Sequence, residues 1–508
     1  MTTDQNILSH DSIPRSDPEL SNKTTPVRDA RRLTSAVAIS LVLTSIRSVF
    51  VFHVLGPALM GAWKSAAVVD TVHEAARMGV LRALAIRVPV LDGAGRTQQA
   101  DEIISESGSV MFWLGFVLAG IIFTSSFFFV NPDLRVAMRW MAALAVVTEP
   151  YVFLRELAAA RHRFELRFRE TLYRALVEFS AAILLCPKFK LVGLGGGMVL
   201  GVSVTAAYLY CRQTVQFRLR PRVGAVKQLL LTGAPVSLSE AGYEFIRRID
   251  VVIMVVLLGP IFVGYYGISR LVTDFSTVLC QKGIAQVLSP HLLHTYGRTG
   301  SILKTARYFE HPARLFSYTV PPLVGAGTFF VGNFVHLLLP QYIPGIIAAQ
   351  ITMWTIFFVA LHSSVGSFAV ALDLIPVLLR IYVVLIPVTA AAQYTILRRG
   401  FGLEGSAWGT LVILAAIGMA EVALAKRKCG NTGGEICRFI ATLYFPVAFA
   451  MYLKHIVGGM RLGLWFMNHP GTLAESATKA LIFLLLFAPI LAVYEVKFSL
   501  LRTVHQAS

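Results

Sequence analysis

The 508-residue chain is divided almost end to end into apolar stretches long enough to cross a bilayer as helices. About 20 residues of helix span the roughly 30 Å hydrocarbon layer. Such stretches stand near 33–54, 57–81, 108–130, 137–158, 171–187, 191–211, 228–257, 262–285, 313–335, 343–370, 375–396, 403–425, 437–457 and 478–496. Composition agrees, with 56% hydrophobic and 15% charged residues, against about 45–50% and 25% in soluble domains. The predicted fold is all-α and integral to the membrane, with about 14 transmembrane helices. A soluble enzyme, a disordered chain and a collagen-like chain are excluded.

The net charge of +18 reads as loop charge rather than a nucleic-acid surface, because basic residues gather at the cytoplasmic ends of spans. With the N-terminus inside, alternate loops carry them: Arg155, Arg161, Arg163, Arg167 and Arg169; Arg212, Arg218, Arg220, Arg222 and Lys227; Arg298, Lys304 and Arg307; Lys426, Arg427, Lys428 and Arg438. Lys188, Lys190, Arg398 and Arg399 are exceptions. Both termini are therefore expected in the cytoplasm. Residues 1–32 read as a disordered cytoplasmic tail with no signal-peptide core. The polar, basic start of 82–107 suggests a helix lying at the cytoplasmic surface. Five cysteines without ligand spacing indicate neither a disulfide framework nor a metal site, and no cofactor is implied.

An internal repeat organises the spans. Leu55-Gly56-Pro57 through Gly61-Ala62-Trp63 returns as Leu258-Gly259-Pro260 through Gly264-Tyr265-Tyr266, 203 residues later, each in a turn between spans. Gly193-Leu194-Gly195-Gly196 and Gly402-Leu403-Glu404-Gly405 share the pattern GLxG at a nearly equal offset. Two matches in equivalent places imply two six-helix bundles in pseudo-twofold parallel repeat, 33–212 and 228–426, joined by a cytoplasmic linker at 213–227. Residues 427–508 add two helices and a tail. Parallel repeats about the membrane normal are a transporter architecture.

These motifs, with Arg248-Ile249-Asp250, Leu338-Leu339-Pro340-Gln341-Tyr342 and the GLEGSAWGT at 402–410, resemble the multidrug/oligosaccharidyl-lipid/polysaccharide (MOP) exporter superfamily, and most closely its polysaccharide-export, O-antigen flippase-like branch. The resemblance runs from about residue 33 to 496. It implies a flippase that turns polyprenyl-pyrophosphate-linked glycan units from the inner to the outer leaflet of the cell (inner) membrane by alternating access. A polysaccharide polymerase complex would be its neighbour and H⁺ or Na⁺ its coupling ion. The last two helices would form a groove for the polyprenyl tail.

Ionisable residues inside spans are costly and tend to face cavities or one another. The candidate cavity cations are Arg47, Lys64, Arg247, Arg248 and Arg270, since guanidinium and ammonium groups hold phosphate oxygens by charge-assisted hydrogen bonds. Arg47 and Lys64 have no acid three or four residues away. Arg270 with Asp274, Glu244 with Arg248, and Arg174 with Glu178 stand four apart, so neutralisation and substrate contact both remain open for them. Candidates for ion or proton coupling are Asp70, Glu74, Glu149, Glu240, Glu244 and Asp274. Asp70 and Glu74 form a like-charge pair, so one is protonated or Arg77 or Lys64 stands nearby. Glu149 precedes Pro150, where a kink with a paired carboxylate is expected. The three glycines at 195–197 suit close helix packing. Two other functions compete: an ion-coupled multidrug exporter of the same superfamily, and, in another class, a membrane glycan polymerase or ligase. An excess of cations in the first two spans disfavours the former. The shortness of every external loop disfavours the latter.

Overall fold

The computed structural model describes residues 26–498 except 78, 162, 214, 216–221, 278–301, 373 and 461–471. The tail expected before residue 26, the end of the eighth span, most of the loop near 458–477 and the chain after 498 lie outside these residues. In order come α1 (Pro26–Ala66), α2 (Val69–Ala76), α3 (Val80–Gly93), α4 (Thr97–Ser126), α5 (Pro132–Ala160), α6 (Phe164–Arg212), α7 (Val223–Leu257) and α8 (Pro260–Thr277). Then follow α9 (Ile302–Leu338), a 3-10 turn (Pro340–Gly345), α10 (Ile346–Met353), α11 (Thr355–Ala371), α12 (Ile375–Arg398), α13 (Gly402–Lys428), α14 (Gly433–Gly459) and α15 (Leu473–Phe498). Among the described residues there is no strand.

Among the described residues, ten helices are long and apolar enough to cross a membrane. Two of those are broken inside. Gly56, with φ 67° and ψ 175°, interrupts α1 at the first LGP motif, a conformation that glycine reaches without a Cβ clash. Lys190, with φ 45° and ψ −118°, interrupts α6. Each break turns one long helix into two limbs. α7 and α8 are not among the ten. α7 carries Glu240, Glu244, Arg247, Arg248 and Asp250 in mid-helix, so its burial rests on ion pairing as well as on apolar contact.

Local signals set several ends. Asn131 caps α5, its side chain accepting from the Leu134 amide at 3.0 Å, with Pro132 in the first turn. Thr432 and Glu435 form a reciprocal capping box at the start of α14.

Two apolar cores form. One gathers α1–α6, including Phe52, Trp63, Met111, Tyr151 and Phe153, and takes in Ile268, Val335 and Tyr342 from later elements. The other gathers α7 onward, including Tyr243, Phe309, Phe357, Leu443 and Phe483. The second span is continued past residue 81 by α3, after turns at 67–68, at 77 and at 79. The expectation of a surface helix at 82–107 is thereby corrected. α3 packs on α4, α5 and α7, with Val80, Ala83, Leu84 and Val88 buried, because its apolar face finds protein on three sides. α1 likewise begins at Pro26, so Pro26–Arg32 are helical rather than part of a tail.

Candidate functional site

The two halves touch at two backbone crossings. At the LGP end, a Cβ added to Gly61 would stand 1.9 Å from the Pro260 carbonyl oxygen, and one on Gly264 would stand 1.9 Å from the Pro57 carbonyl oxygen. The two copies of the repeat therefore cross each other reciprocally, as a pseudo-twofold axis between them requires. The second crossing lies toward the other end of α7, which runs from Val223 past Gly233 to Leu257, just before the second LGP motif. There Gly79 and Gly233 meet backbone to backbone, Gly79 at φ 81°, each leaving no room for a Cβ on the other. Arg82 and Glu240 pair beside it at 2.7 Å, both exposed.

Charged side chains fill the seam between the crossings. Lys64 of α1 reaches Asp274 of α8 at 3.6 Å. Asp274 keeps 53% of its side chain accessible, yet stands in the field of Lys64, Arg248, Arg270 and Arg247. Asp274 is thus an exposed carboxylate paired with a cation of the other half. Arg248 donates to the Ala67 carbonyl across the seam at 3.4 Å and lies 3.9 Å from Glu244. Glu74 faces Glu244 and Arg248 from the other half. Arg247 is buried and paired with Glu244 at 2.6 Å.

Arg270 bonds within its own half, while its Nε is buried with no partner among the described residues. It donates to Asp250 and to the Arg247 carbonyl. Asp250 also accepts from the Tyr266 hydroxyl at 2.9 Å and the Thr410 hydroxyl at 3.0 Å. The pairing of Arg270 with Asp274 at four residues' spacing is thus replaced by a contact twenty residues back. Arg47 stands apart from the seam, bonded to Glu178 inside the first half. Glu178 also takes Arg174 at 2.8 Å, as helix spacing suggests, and Arg174 lies 3.2 Å from the Tyr151 hydroxyl.

The acidic candidates divide similarly. Glu149 is fully buried, held by Arg77 at 2.8 and 3.1 Å with His73 at 3.6 Å. That is the paired carboxylate expected beside Pro150. Asp70 and Glu74 are exposed in the seam, and Arg77 lies close to both. Glu240 belongs to the exposed pair with Arg82. The glycines of α6 do pack closely: Gly195 lies against the Trp140 ring and Gly197 against Ala181.

A buried cluster in the second half involves residues not singled out from the sequence. Glu421 of α13 accepts from His362 of α11 at 2.8 Å and from the Tyr382 hydroxyl of α12. The cost of intramembrane charge applies to Glu421 and His362 as much as to the arginines, and was the signal that could have found them. Asp250 was visible in the Arg-Ile-Asp motif, but only folding shows what it holds.

Comparison with known proteins follows from this geometry. Residues 96–340 match a family model described as "Polysaccharide biosynthesis protein". The structure resembles that of the lipid II flippase MurJ in an inward closed conformation, with a TM-score of 0.64 at 9% identity over 90% of this chain and 98% of that one. It also resembles an inward-facing multidrug-resistance MATE transporter of the MOP superfamily, with a TM-score of 0.60 at 14% identity over 79% and 98%. A third likeness is to a MOP transporter from Pyrococcus furiosus Vc1 (DSM3638), with a TM-score of 0.57 at 15% identity over 80% and 96%. The chain has the MOP-superfamily fold. No curated protein matches the sequence.

Proposed function

We propose that this chain is a flippase for polyprenyl-pyrophosphate-linked glycan units. In this reading, the bundles at 33–212 and 228–426 rock against each other to expose the seam alternately to each side of the inner membrane. The single observation that carries this is that Lys64 and Arg248, from opposite halves, both stand at the seam, Lys64 against the exposed Asp274 and Arg248 against the Ala67 carbonyl. A pyrophosphate cannot enter hydrocarbon without counter-charge, and the cations at the seam would supply it. Lys64 and Arg248 come from opposite halves, so one anion bound between them would feel both bundles. The family description, polysaccharide biosynthesis, and the lipid II flippase among the structural likenesses support a lipid-linked glycan as cargo. In this reading both termini lie in the cytoplasm, a polysaccharide polymerase complex takes the product and H⁺ or Na⁺ drives the cycle.

The test is glycan extraction from a strain lacking the gene, with the leaflet probed by a membrane-impermeant lectin. Complete repeat units should accumulate on the inner face. Wild type should restore export, and Lys64→Ala or Arg248→Ala should lower it roughly ten- to hundredfold, since a hydrogen bond to a charged group contributes about 1.5–3 kcal/mol. Single units that reach the outer face without polymerising would replace this reading with the polymerase one.

A further inference from the structure

We infer that Arg155 and Arg167 form a binding site for a phosphate group inside the first half, apart from the seam and independent of which substrate crosses.

Two helices place them together. The first limb of α6 folds back on α5 after the turn at 161–163. The Tyr151 hydroxyl of α5 donates to Glu170 of α6. Arg174 donates to the same hydroxyl at 3.2 Å, its guanidinium 4.9 Å from the ring centre. Arg155 stands one helical turn beyond Tyr151, and Arg167 one turn before Glu170, so both come between this contact and the connecting turn. On the far side, Arg163 donates to the Arg212 carbonyl at 3.1 Å and the buried Gln213 to the Leu154 carbonyl at 3.0 Å. Arg155 and Arg167 are half-buried in the space so bounded, and the charge of Arg155 acts on Arg167.

The other arginines of this turn are paired. Arg161 holds Asp101 at 2.6 Å and Asp92 at 3.7 Å, and Arg169 holds Glu165 at 2.7 Å. Among the described residues, the side chains of Arg155 and Arg167 have neither a hydrogen bond nor an ion pair. Glu156 and Glu170 act on both, yet neither reaches ion-pairing distance. Glu170 takes the hydroxyls of Tyr151 and Thr171 instead. Arginine does not give up its proton in a protein, so the two groups repel each other until an anion comes between them. A phosphate group suits that place, because its tetrahedral oxygens can serve one guanidinium on each side by charge-assisted hydrogen bonds.

The repeat separates this from a demand of the fold. In the second half no Lys or Arg occurs from 361 to 379, across the end of α11 and the start of α12. The same turn is thus built there without the cations. An anionic lipid headgroup and free phosphate both present the chemistry that the pair would hold.

The experiment titrates the purified full chain, in neutral detergent, with dioleoyl phosphatidylglycerol, dioleoylglycerol and inorganic phosphate. Bound adducts are read by native mass spectrometry. Phosphatidylglycerol or inorganic phosphate should bind, and dioleoylglycerol, which lacks the phosphate, should not. Binding of phosphatidylglycerol alone makes the occupant a lipid headgroup, and binding of inorganic phosphate makes it the free anion. Arg155→Gln and Arg167→Gln should each weaken that binding roughly tenfold or more, the loss of a hydrogen bond to a charged group. Arg167→Lys keeps the charge and should weaken it less, which tests the site even if Arg167→Gln does not fold. Arg169→Gln removes the same charge from the same turn and should leave binding unchanged. Equal loss in Arg155→Gln, Arg167→Gln and Arg169→Gln, no loss in the first two, or no binding of either phosphate compound would each overturn the proposal. No glycan is present, so the outcome stands whether or not the chain flips one.

Discussion

Gly61 and Gly264 act through what they lack. Each would drive a Cβ to 1.9 Å from a backbone carbonyl oxygen of the other half. Backbone cannot turn aside as a flexible side chain can, so the helices themselves must move. Forced overpacking costs about 1–3 kcal/mol. Gly61→Ala and Gly264→Ala should each lower the unfolding temperature in detergent. Gly332→Ala, with open space around its added Cβ, should match or exceed wild type, because alanine is the better helix former. Equal stability for all three would show that the crossing is slack. The repeat itself was legible in the sequence at these residues. The crossing was not, since a motif shows where a backbone is bare and not what comes to lie against it.

At the scale of elements, α6 shows the same division. Arg174 and Glu178 lie on one face of one helix, so their pairing could be read from spacing. Arg47 bonds the same carboxylate from 131 residues away, and only the packing of α1 on α6 brings it there. Glu178 is nearly buried between two guanidinium groups. Removing one partner of a buried pair costs about 3–5 kcal/mol. Glu178→Ala should therefore lower stability by about that much, and Arg47→Met in the same chain should recover part of it by removing one stranded charge. Thermal unfolding of the two single variants and the double variant measures the coupling. Simple additivity would mean that the pair is incidental. The spans were legible because hydrocarbon length is fixed; the rotation of each helix was not, because it depends on every neighbour. That is why Lys64 and Arg248 meet in the seam while Arg47, equally unpaired in sequence, lies inside a bundle.

For the whole molecule, the question is which end opens more easily. At the LGP end, Gly61 and Gly264 seat each half on a backbone carbonyl of the other, and the Tyr342 hydroxyl adds a bond to the Phe52 carbonyl at 3.0 Å. At the opposite end, one glycine pair meets beside the exposed Arg82–Glu240 ion pair. An exposed ion pair contributes only about 0.2–1 kcal/mol and is screened by salt. The end with the weaker latch should open first. Arg82→Glu replaces attraction with repulsion across it, so a cysteine placed at Asp70, in a chain otherwise free of cysteine, should react faster with a water-soluble thiol reagent. The gain should be at most about fivefold, since 1.4 kcal/mol is a factor of ten, and should shrink in high salt. Adding Glu240→Arg should return the rate to that of the parent. A rate that ignores both the charge reversal and salt would mean that the glycine contact alone sets the barrier, and that the halves part by separating backbones rather than by breaking an ion pair.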